Sequence, residues 1–428
     1  MPFYRQPLNE FLSRTILFLF IATVVLCIYQ GYEIQVLLKP QIDDNNSPII
    51  ERLHSFDSSE VESAVYRRKK IFIAFFYWEQ LTMATNNLLH LSALAAQGGR
   101  QVVVPFVKDS FFRGAPQSQR KRQNHKFGLY YDVTALNESL RLHGYGTLIN
   151  WEGFQDVCKG KLDVLVYFHY KNLTNSTSNN LSTSYDPCKL NQKQVFLGIK
   201  IGRKICVNAH VFDSVQRFED EIVEKLPCVG IMRWRGTSKT EPFRTHFNIE
   251  SLVDKVLSYL DMSAFFSAKL LRIAQDFIAQ HLISNFISVH VRTEQILVSG
   301  GNISTVKRCL FKLRKRLQSI NQLATVQNPP VFLAADFTKF GSSSATVKPA
   351  RKHAKSFMKI LLPLRPIVFQ PSEYKIVDRG AAAIVEMNIL ASGRRLFVLG
   401  GGSFQLWITK QFLTKNYNEQ SKVERIVC

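Results

Sequence analysis

The chain has 428 residues, of which 46% are hydrophobic, and 55 Lys and Arg against 33 Asp and Glu give a formal net charge of +22. This composition excludes an intrinsically disordered protein, and the length allows one large or two ordinary domains, each with its own hydrophobic core. The positive charge predicts an acidic partner, such as a nucleotide diphosphate, an anionic glycan, a lipid headgroup or a nucleic acid.

The N-terminal region predicts a membrane anchor. Residues 15–30, TILFLFIATVVLCIYQ, form an uncharged apolar run with Arg5 and Arg14 before it and Glu33 after it. At about 1.5 Å per residue, a helix of this length just spans a thin bilayer, and the basic flank indicates a cytoplasmic N-terminus. We therefore expect a cytoplasmic tail over 1–14, a transmembrane signal anchor over 15–30 and a single-pass type II protein of the Golgi or endoplasmic-reticulum membrane with a lumenal body. A cleaved signal peptide and a buried core helix are the alternatives.

Sequons and cysteines indicate the same compartment. N-x-S/T sequons, the acceptor motif for N-glycans, occur at Asn45, Asn137, Asn172, Asn175, Asn180 and Asn302. Outside the apolar run, cysteines occur at 158, 188, 206, 228, 309 and 428, with spacings unlike those of zinc sites. We expect disulfides, with Cys158 paired to Cys188 around the sequon-rich loop, and scattered buried thiols are the alternative. A lumenal position argues against DNA or RNA as the partner.

The first half of the globular body predicts a βαβ unit followed by further strands. Residues 31–66 are polar and poorly patterned, and we interpret them as a stem. The run IFIAFFYW has the continuous apolar character of a buried strand, and LTMATNNLLHLSALAAQ has helical spacing before a second strand, QVVVPF. Three more strands are predicted over 161–168, 203–212 and 227–234.

After Pro242 the pattern alternates between helices and strands. Helical spacing over 260–282 precedes the strand NFISVHV, the helix TVKRCLFKLRKRLQSI precedes PVFLAAD, a basic segment precedes PIVFQ, and the helix AAAIVEMNILASG precedes RLFVLG. This alternation predicts a parallel sheet wrapped by helices, with ligands held at the carboxyl edge of the strands.

Three of these strands end in polar residues. The first runs into His290, Arg292 and Glu294, which strand alternation would place on one face. The second ends at Asp336. The third runs into the turn VLGGGSF, where glycines let the backbone approach a ligand closely and Ser403, with the N–H groups that open the next helix, can hold a phosphate.

These blocks, HVRTE, FLAAD about forty residues later and IVEMNILAS with LFVLGGGSF, resemble the motifs shared by the GDP-fucose fucosyltransferases of the protein O-fucosyltransferase and α1,6-fucosyltransferase superfamily. The resemblance is specific over about residues 285–410 and weaker over 70–235. It implies a GT-B-like α/β fold, in which two Rossmann-like lobes flank a cleft. We expect the acceptor-side lobe over 67–240 and the nucleotide-sugar lobe over 241–428.

The same resemblance implies an enzyme. It would be an inverting transferase that needs no metal or other cofactor and moves fucose from GDP-fucose to a hydroxyl of a glycoprotein or glycan acceptor. A membrane-anchored pseudoenzyme or glycan-binding protein of the same fold is one alternative, and a transferase that uses another nucleotide sugar is a second.

The resemblance also assigns roles to the matched residues. Arg292 is expected to bind the diphosphate, because a planar guanidinium can grip two oxygens and stays charged as GDP departs. The alternative is a surface ion pair with Glu294. His290 would bind phosphate or ribose, or brace Arg292. Glu294 would orient Arg292 or a neighbouring amide, and Asp336 would accept hydrogen bonds from guanine or ribose, with an ordinary helix cap as its alternative.

The end of the third block is matched by Gly402, Ser403 and Phe404, where a hydroxyl and the backbone meet phosphate, although Phe404 could simply pack. Glu386 stands where many relatives carry Asp, and we interpret the change as tolerated, with an ordinary exposed helix residue as the alternative.

The first βα turn is expected to supply the general base that takes the acceptor's proton. Glu79 occupies this turn, with a capping role as the alternative. The turn, YWEQ, lacks the glycine and asparagine that are usual in the family. This departure from the family pattern leaves the donor contacts of this lobe open. Asn86 or Asn87 are the candidate replacements, with ordinary polar helix positions as the alternative.

Overall fold

The computed structural model describes residues 69–77, 80–116, 124–169, 199–208, 215–223, 225–233, 262–282, 285–323, 329–338, 348–417 and 419–428. The chain divides into Met1–Arg67 and Arg68–Cys428, next to the predicted end of the stem. The predicted lobe boundary at 240 and the predicted anchor over 15–30 lie outside the described residues, and both stay predictions. Among the helices that the structure describes, none has the length and apolar character needed to cross a membrane.

The N-terminal part of the body comprises the described residues from 69 to 233. Its strands are β1 (Lys70–Ala74), β2 (Phe76–Tyr77), β3 (Arg100–Val103), β4 (Phe106–Lys108), β5 (Phe111–Arg113), β6 (His125–Lys126), β7 (Leu148–Ile149), β8 (Lys161–His169), β9 (Lys200–Asn208) and β10 (Cys228–Arg233). Its helices are α1 (Leu81–Gln97), α2 (Val133–Leu142), α3 (Trp151–Cys158) and α4 (Val215–Glu221), with a 3-10 turn over Phe127–Leu129.

Two sheets form this part. A six-stranded sheet has the order β7-β3-β1-β10-β8-β9, and every neighbouring pair in it is parallel. A smaller antiparallel sheet has the order β2-β5-β4-β6. The predicted βαβ unit is confirmed, since α1 lies between β1 and β3 in the chain and β1 pairs with β3 in parallel.

The apolar run IFIAFFYW, predicted as one strand, contributes to two. β1 ends at Ala74, and β2 pairs with β5 in the antiparallel sheet. At the bend, the Phe75 N–H donates to the Ile231 carbonyl at 3.2 Å, and the Gly114 N–H donates to the Phe75 carbonyl at 3.3 Å. A Cβ on Gly114 would overlap the Ala74 carbonyl oxygen, so this change of sheet needs a glycine opposite it.

The C-terminal part comprises the described residues from 262 to 428. Its strands are β11 (Ile287–Val291), β12 (Val331–Ala335), β13 (Arg395–Leu399) and β14 (Val423–Ile426). Its helices are α5 (Ala268–Phe277), which continues as a π-helix over Ile278–Leu282, α6 (Thr293–Val298), α7 (Ile303–Leu323), α8 (Lys348–Leu361), α9 (Arg379–Ala391) and α10 (Ser403–Lys415). Single 3-10 turns cover Met262–Phe265, Leu362–Leu364 and Gln420–Lys422.

The four strands of this part form a parallel sheet of order β12-β11-β13-β14. Alternate residues of β11, Ile287, Val289 and Val291, pack in one cluster with residues of α7 and α8. The opposite face contributes to a second cluster that includes residues of α5, α9 and α10 and extends to β1 and α1. Both faces are covered, as in α/β proteins with parallel sheets, and the predicted α/β class is confirmed.

Two disulfides lie within the described residues, Cys158–Cys228 and Cys309–Cys428. The predicted pairing of Cys158 with Cys188 is therefore wrong. Cys158 ends α3, and Cys228 begins β10. Both are buried in the cluster in which α3 packs on the large sheet, so tertiary packing brings together two cysteines that are 70 residues apart.

Candidate functional site

Arg292 lies between β11 and α6. Its backbone N–H donates to the Leu399 carbonyl at 2.8 Å, which continues the pairing of β11 with β13 by one residue. The chain then enters α6 at Thr293. The predicted row of three polar residues on one strand is therefore wrong at its end, because Glu294 belongs to the first turn of a helix. A helix does not alternate its side chains as a strand does.

Asp336 caps this helix from the neighbouring strand. Asp336 follows β12, and its Oδ1 accepts from the Thr293 hydroxyl at 2.9 Å while its Oδ2 accepts from the Glu294 N–H at 2.6 Å. Burial raises the pKa of Asp336, although the hydrogen bonds from Glu294 and Thr293 act in the opposite direction. Both carboxylate oxygens thus hold the turn that begins beside Arg292. The predicted contact of Asp336 with guanine or ribose stays a prediction.

The glycine turn after β13 encloses Arg292. Gly400 and Gly402 have φ angles of +105° and +99°, which only glycine adopts without strain. A Cβ on Gly400 would overlap the Arg292 carbonyl oxygen, and one on Gly402 would overlap its Nη1. The same Nη1 donates to the Gly401 carbonyl at 3.3 Å. The glycines therefore allow the turn to pack against Arg292. Their predicted close approach to a ligand stays a prediction.

The turn leads directly into α10. Ser403 is its first residue, and Gly402, at the N-cap, provides no side-chain acceptor for the N–H groups of the first turn. Four such groups lack intrahelical partners at any helix start, and they carry the positive end of the helix dipole. The Arg292 guanidinium and the positive end of the α10 dipole therefore lie at the same glycine turn.

Thr82 connects α1 to this turn. Its hydroxyl donates to the Ser403 Oγ at 3.2 Å, across 321 positions of sequence. Thr82 is not among the residues predicted from the sequence. Its position could have indicated it, because Thr82 is the second residue of α1 and lies near the carboxyl end of a parallel strand, where such folds bind ligands.

His290 lies on β11 beneath the start of α10. It is 6% exposed, and the centroid of its ring is 5.7 Å from that of half-buried Phe404. Burial, and then the charge of Arg292, lowers the pKa of His290 to about 3, so the ring is neutral at physiological pH. Its Nδ1 is buried without a hydrogen-bond partner among the described residues, and a buried polar atom of this kind costs free energy unless a ligand or water satisfies it.

The other predicted residues lie on helices or outside the described residues. Glu386 is half-buried on α9, and burial raises its pKa to about 8. Asn86 lies one turn after Thr82 on α1, and its Oδ1 is buried without a partner among the described residues. Glu79 falls outside them. The described residues contain no group of three or more His, Cys, Asp or Glu side chains that could hold a metal ion.

Comparisons with known proteins identify the fold. No protein-family model matches the sequence, and no curated protein does so. POFUT1 in complex with GDP-fucose aligns with a TM-score of 0.50 at 11% identity over 84% of this chain and 98% of the POFUT1 chain. Its apo-form gives 0.50 at 11% identity, with coverages of 84% and 99%. Fucosyltransferase NodZ from Bradyrhizobium gives 0.36 at 12%, with coverages of 80% and 92%.

The chain therefore has the fold of POFUT1. The resemblance to fucosyltransferases that the three motif blocks indicate is confirmed at the level of the fold.

Proposed function

We propose that this chain is an inverting, metal-independent glycosyltransferase that moves fucose from GDP-fucose to a hydroxyl of a glycoprotein or glycan in the secretory pathway. One observation carries the proposal: the Arg292 guanidinium is enclosed by the Gly400–Gly402 turn next to the uncapped start of α10. The fold shared with POFUT1, which was crystallised with GDP-fucose and with GDP, supports the choice of donor.

The arrangement suits a diphosphate in three ways. Arg292 supplies a charge that pH does not remove, and its side chain is tied to the Gly401 carbonyl, so little reorganisation is needed when a ligand binds. The N–H groups that begin α10 point to the same end of the helix and favour an anion. Because Thr82 donates to the Ser403 oxygen, the Ser403 proton is directed elsewhere and is free to donate to a phosphate oxygen.

The chemistry that follows is a displacement at the anomeric carbon. The acceptor oxygen forms a new bond to that carbon on the face opposite GDP, the bond to the β-phosphate oxygen breaks, and GDP leaves with the electron pair. Arg292 and the start of α10 stabilise the charge that develops on GDP, which lowers the barrier because the interaction is stronger in the transition state than in the ground state. These groups take the role that a divalent ion has in metal-dependent enzymes.

Proton transfer needs a different group. The acceptor's proton passes to a general base, and we assign this role to Glu79 in the first βα turn. His290 does not serve as a cationic acid, because its pKa of about 3 keeps the ring neutral. Its unpartnered Nδ1 instead hydrogen-bonds a polar group of the bound nucleotide sugar.

The location of the enzyme is part of the proposal. The apolar run over 15–30 anchors the chain in the Golgi or endoplasmic-reticulum membrane, with the body in the lumen. The disulfides Cys158–Cys228 and Cys309–Cys428 support an oxidising compartment.

The test is donor hydrolysis and transfer by the full chain in microsomes, with a panel of labelled nucleotide sugars. We expect GDP release from GDP-fucose alone, and a loss of at least about 100-fold in kcat in Arg292→Ala, since one electrostatic donor in an active site contributes about this much. Arg292→Lys should recover only part of the activity, because an ammonium cannot grip two oxygens.

The control is Arg308→Ala, which removes an exposed arginine of α7 and should leave turnover unchanged. Equal GDP release by the wild type and Arg292→Ala would remove Arg292 from the mechanism. Saturable binding of GDP-fucose without transfer to any acceptor would select the pseudoenzyme, and release from another nucleotide sugar would replace the donor.

A further inference from the structure

Two of the sequons lie within the described residues, and the structure treats their asparagines differently. Asn302 precedes α7, and Asn137 lies within α2. An N-glycan is attached at Nδ2 and leaves Oδ1 unchanged. What each side chain does with these two atoms therefore indicates whether the folded protein can carry a glycan there.

Asn302 uses only its oxygen. It is exposed, and its Oδ1 accepts from the Thr305 N–H at 2.9 Å and from the Thr305 hydroxyl at 3.1 Å, so it caps the first turn of α7. Its Nδ2 makes no hydrogen bond to the described residues. A sugar on Nδ2 would keep both capping bonds and extend into solvent.

Asn137 uses both atoms. Its Nδ2 donates to the Leu148 carbonyl at 2.8 Å and its Oδ1 accepts from the Leu148 N–H at 2.5 Å, which ties α2 to β7 in a half-buried position. A secondary amide prefers the trans form, so a sugar replaces the Nδ2 hydrogen on the same side as Oδ1. Because Asn137 pairs with both the N–H and the carbonyl of Leu148, this same Nδ2 hydrogen is the one that points at the Leu148 carbonyl. A sugar at Nδ2 would therefore break that hydrogen bond.

We propose that Asn302 is an N-glycosylation site of this protein and that Asn137, despite its sequon, stays unmodified because it is a structural link between α2 and β7. The modification joins the Asn302 amide nitrogen to the anomeric carbon of a lipid-linked oligosaccharide diphosphate. A C–N bond forms, the C–O bond to the diphosphate breaks, the lipid diphosphate leaves with the electron pair, and the amide loses one proton. This inference rests on the lumenal position in the proposed function.

A glycan at Asn302 would not contact the candidate donor site around Arg292. Arg292 precedes α6, whereas Asn302 follows α6 and the two glycines after it. A helix of six residues is about 9 Å long. The sugar would therefore begin at the end of α6 away from Arg292, and its loss should not alter transfer.

The experiment expresses the full chain in a secretory eukaryotic host. Digestion with peptide-N-glycosidase in ¹⁸O-water converts each occupied Asn to labelled Asp, and mass spectrometry of the peptides reads occupancy at all sequons. We expect label at Asn302 and none at Asn137.

Matched variants delete each sequon without changing its asparagine. Ser304→Ala should remove one glycan from the gel mobility, and Ser139→Ala should leave the mobility unchanged. Asn302→Asp should also lose the glycan but keep the helix cap and the melting temperature, whereas Asn137→Asp should lower the melting temperature without any change in glycan mass, because it loses the Nδ2 donor to Leu148.

Label at Asn137, or no label at Asn302 while other sequons are occupied, would overturn the inference and leave the proposed enzyme intact. Absence of glycan from every sequon would overturn both this inference and the lumenal position. The Arg292 assay, which reads catalysis alone, separates these failures from a failure of the enzymatic proposal.

Discussion

Arg292 owes its position to residues from three strand ends. Asp336, after β12, holds the first turn of α6 through Thr293 and the Glu294 N–H. The glycine turn after β13 fits around its carbonyl oxygen and its guanidinium. A charged group positioned in this way loses little freedom when it binds an anion, which is the requirement for electrostatic catalysis.

Gly402→Ala tests this packing. The substitution adds a Cβ that overlaps the Arg292 Nη1 and strains a residue with φ of +99°. We expect kcat to fall by roughly tenfold to 100-fold as the guanidinium is displaced, with a loss of stability of about 1 kcal/mol. The measurement is GDP-fucose turnover together with urea unfolding.

Gly128→Ala is the matched control, since a Cβ at Gly128 meets nothing within 4 Å. Wild-type turnover in Gly402→Ala would show that the turn tolerates the methyl group and that Arg292 does not depend on it.

At the level of elements, the site combines the starts of α6 and α10 with α1, which comes from the other sheet. Helices α1 and α10 pack against each other, and the Thr82 hydroxyl donates to the Ser403 Oγ within this contact. In a parallel sheet the helices begin where the strands end, so two sheets that present these edges to each other can build one site from both. Thr82 acts through Ser403, and we regard it as a positioning residue.

Thr82→Val removes the hydroxyl and keeps the shape of the side chain. Loss of one hydrogen bond of about 1 kcal/mol corresponds to a fall of roughly fivefold to tenfold in kcat/KM for GDP-fucose. Thr82→Ser, which restores the donor, should recover most of the activity. Kinetics with GDP-fucose and thermal unfolding of both variants are the measurements.

Thr414→Val is the control, because among the described residues the Thr414 hydroxyl bonds only to the Lys410 carbonyl, within α10, at 3.1 Å. A loss in Thr82→Val that Thr82→Ser does not rescue would assign Thr82 to packing rather than to positioning.

For the whole molecule, buried His290 and half-buried Glu386 link stability to pH in opposite directions. The pKa of His290 is lowered to about 3, so the unfolded chain binds a proton below about pH 6.5 that the folded chain does not, and stability falls as pH decreases from there. The pKa of Glu386 is raised to about 8. The unfolded chain releases this proton near pH 4.5, so stability falls as pH rises from about 4.5 to 8.

Glu386→Gln should flatten the upper part of this profile. Between about pH 6.5 and 8 the wild type should lose roughly 1 kcal/mol per pH unit through Glu386, while the variant should show almost no loss from this position. Urea unfolding at pH 6.5 and pH 8 measures the difference. His290→Asn serves as a control that changes only the acidic side, and identical slopes in the wild type and Glu386→Gln would contradict the raised pKa of Glu386.

Local pattern predicted much of the fold. The spacing in LTMATNNLLHLSALAAQ gave α1 with its observed bounds, and the apolar runs gave β8, β10, β11, β12 and β13 within a few residues. Helix α2, the antiparallel sheet and β14 were not predicted. The missed strands have two to four residues, too few to establish alternation.

By itself the sequence determined the α/β class and the resemblance to fucosyltransferases, because periodicity and short motifs are properties of consecutive residues. It also selected Arg292 as the candidate diphosphate-binding residue. Only the tertiary structure decided that Glu294 lies in the first turn of a helix and that Asp336 caps this helix. It alone also decided that Thr82 contacts Ser403 and that Cys158 pairs with Cys228. These contacts join residues between 42 and 321 positions apart, and packing of the sheets and helices, rather than local preference, brings them together.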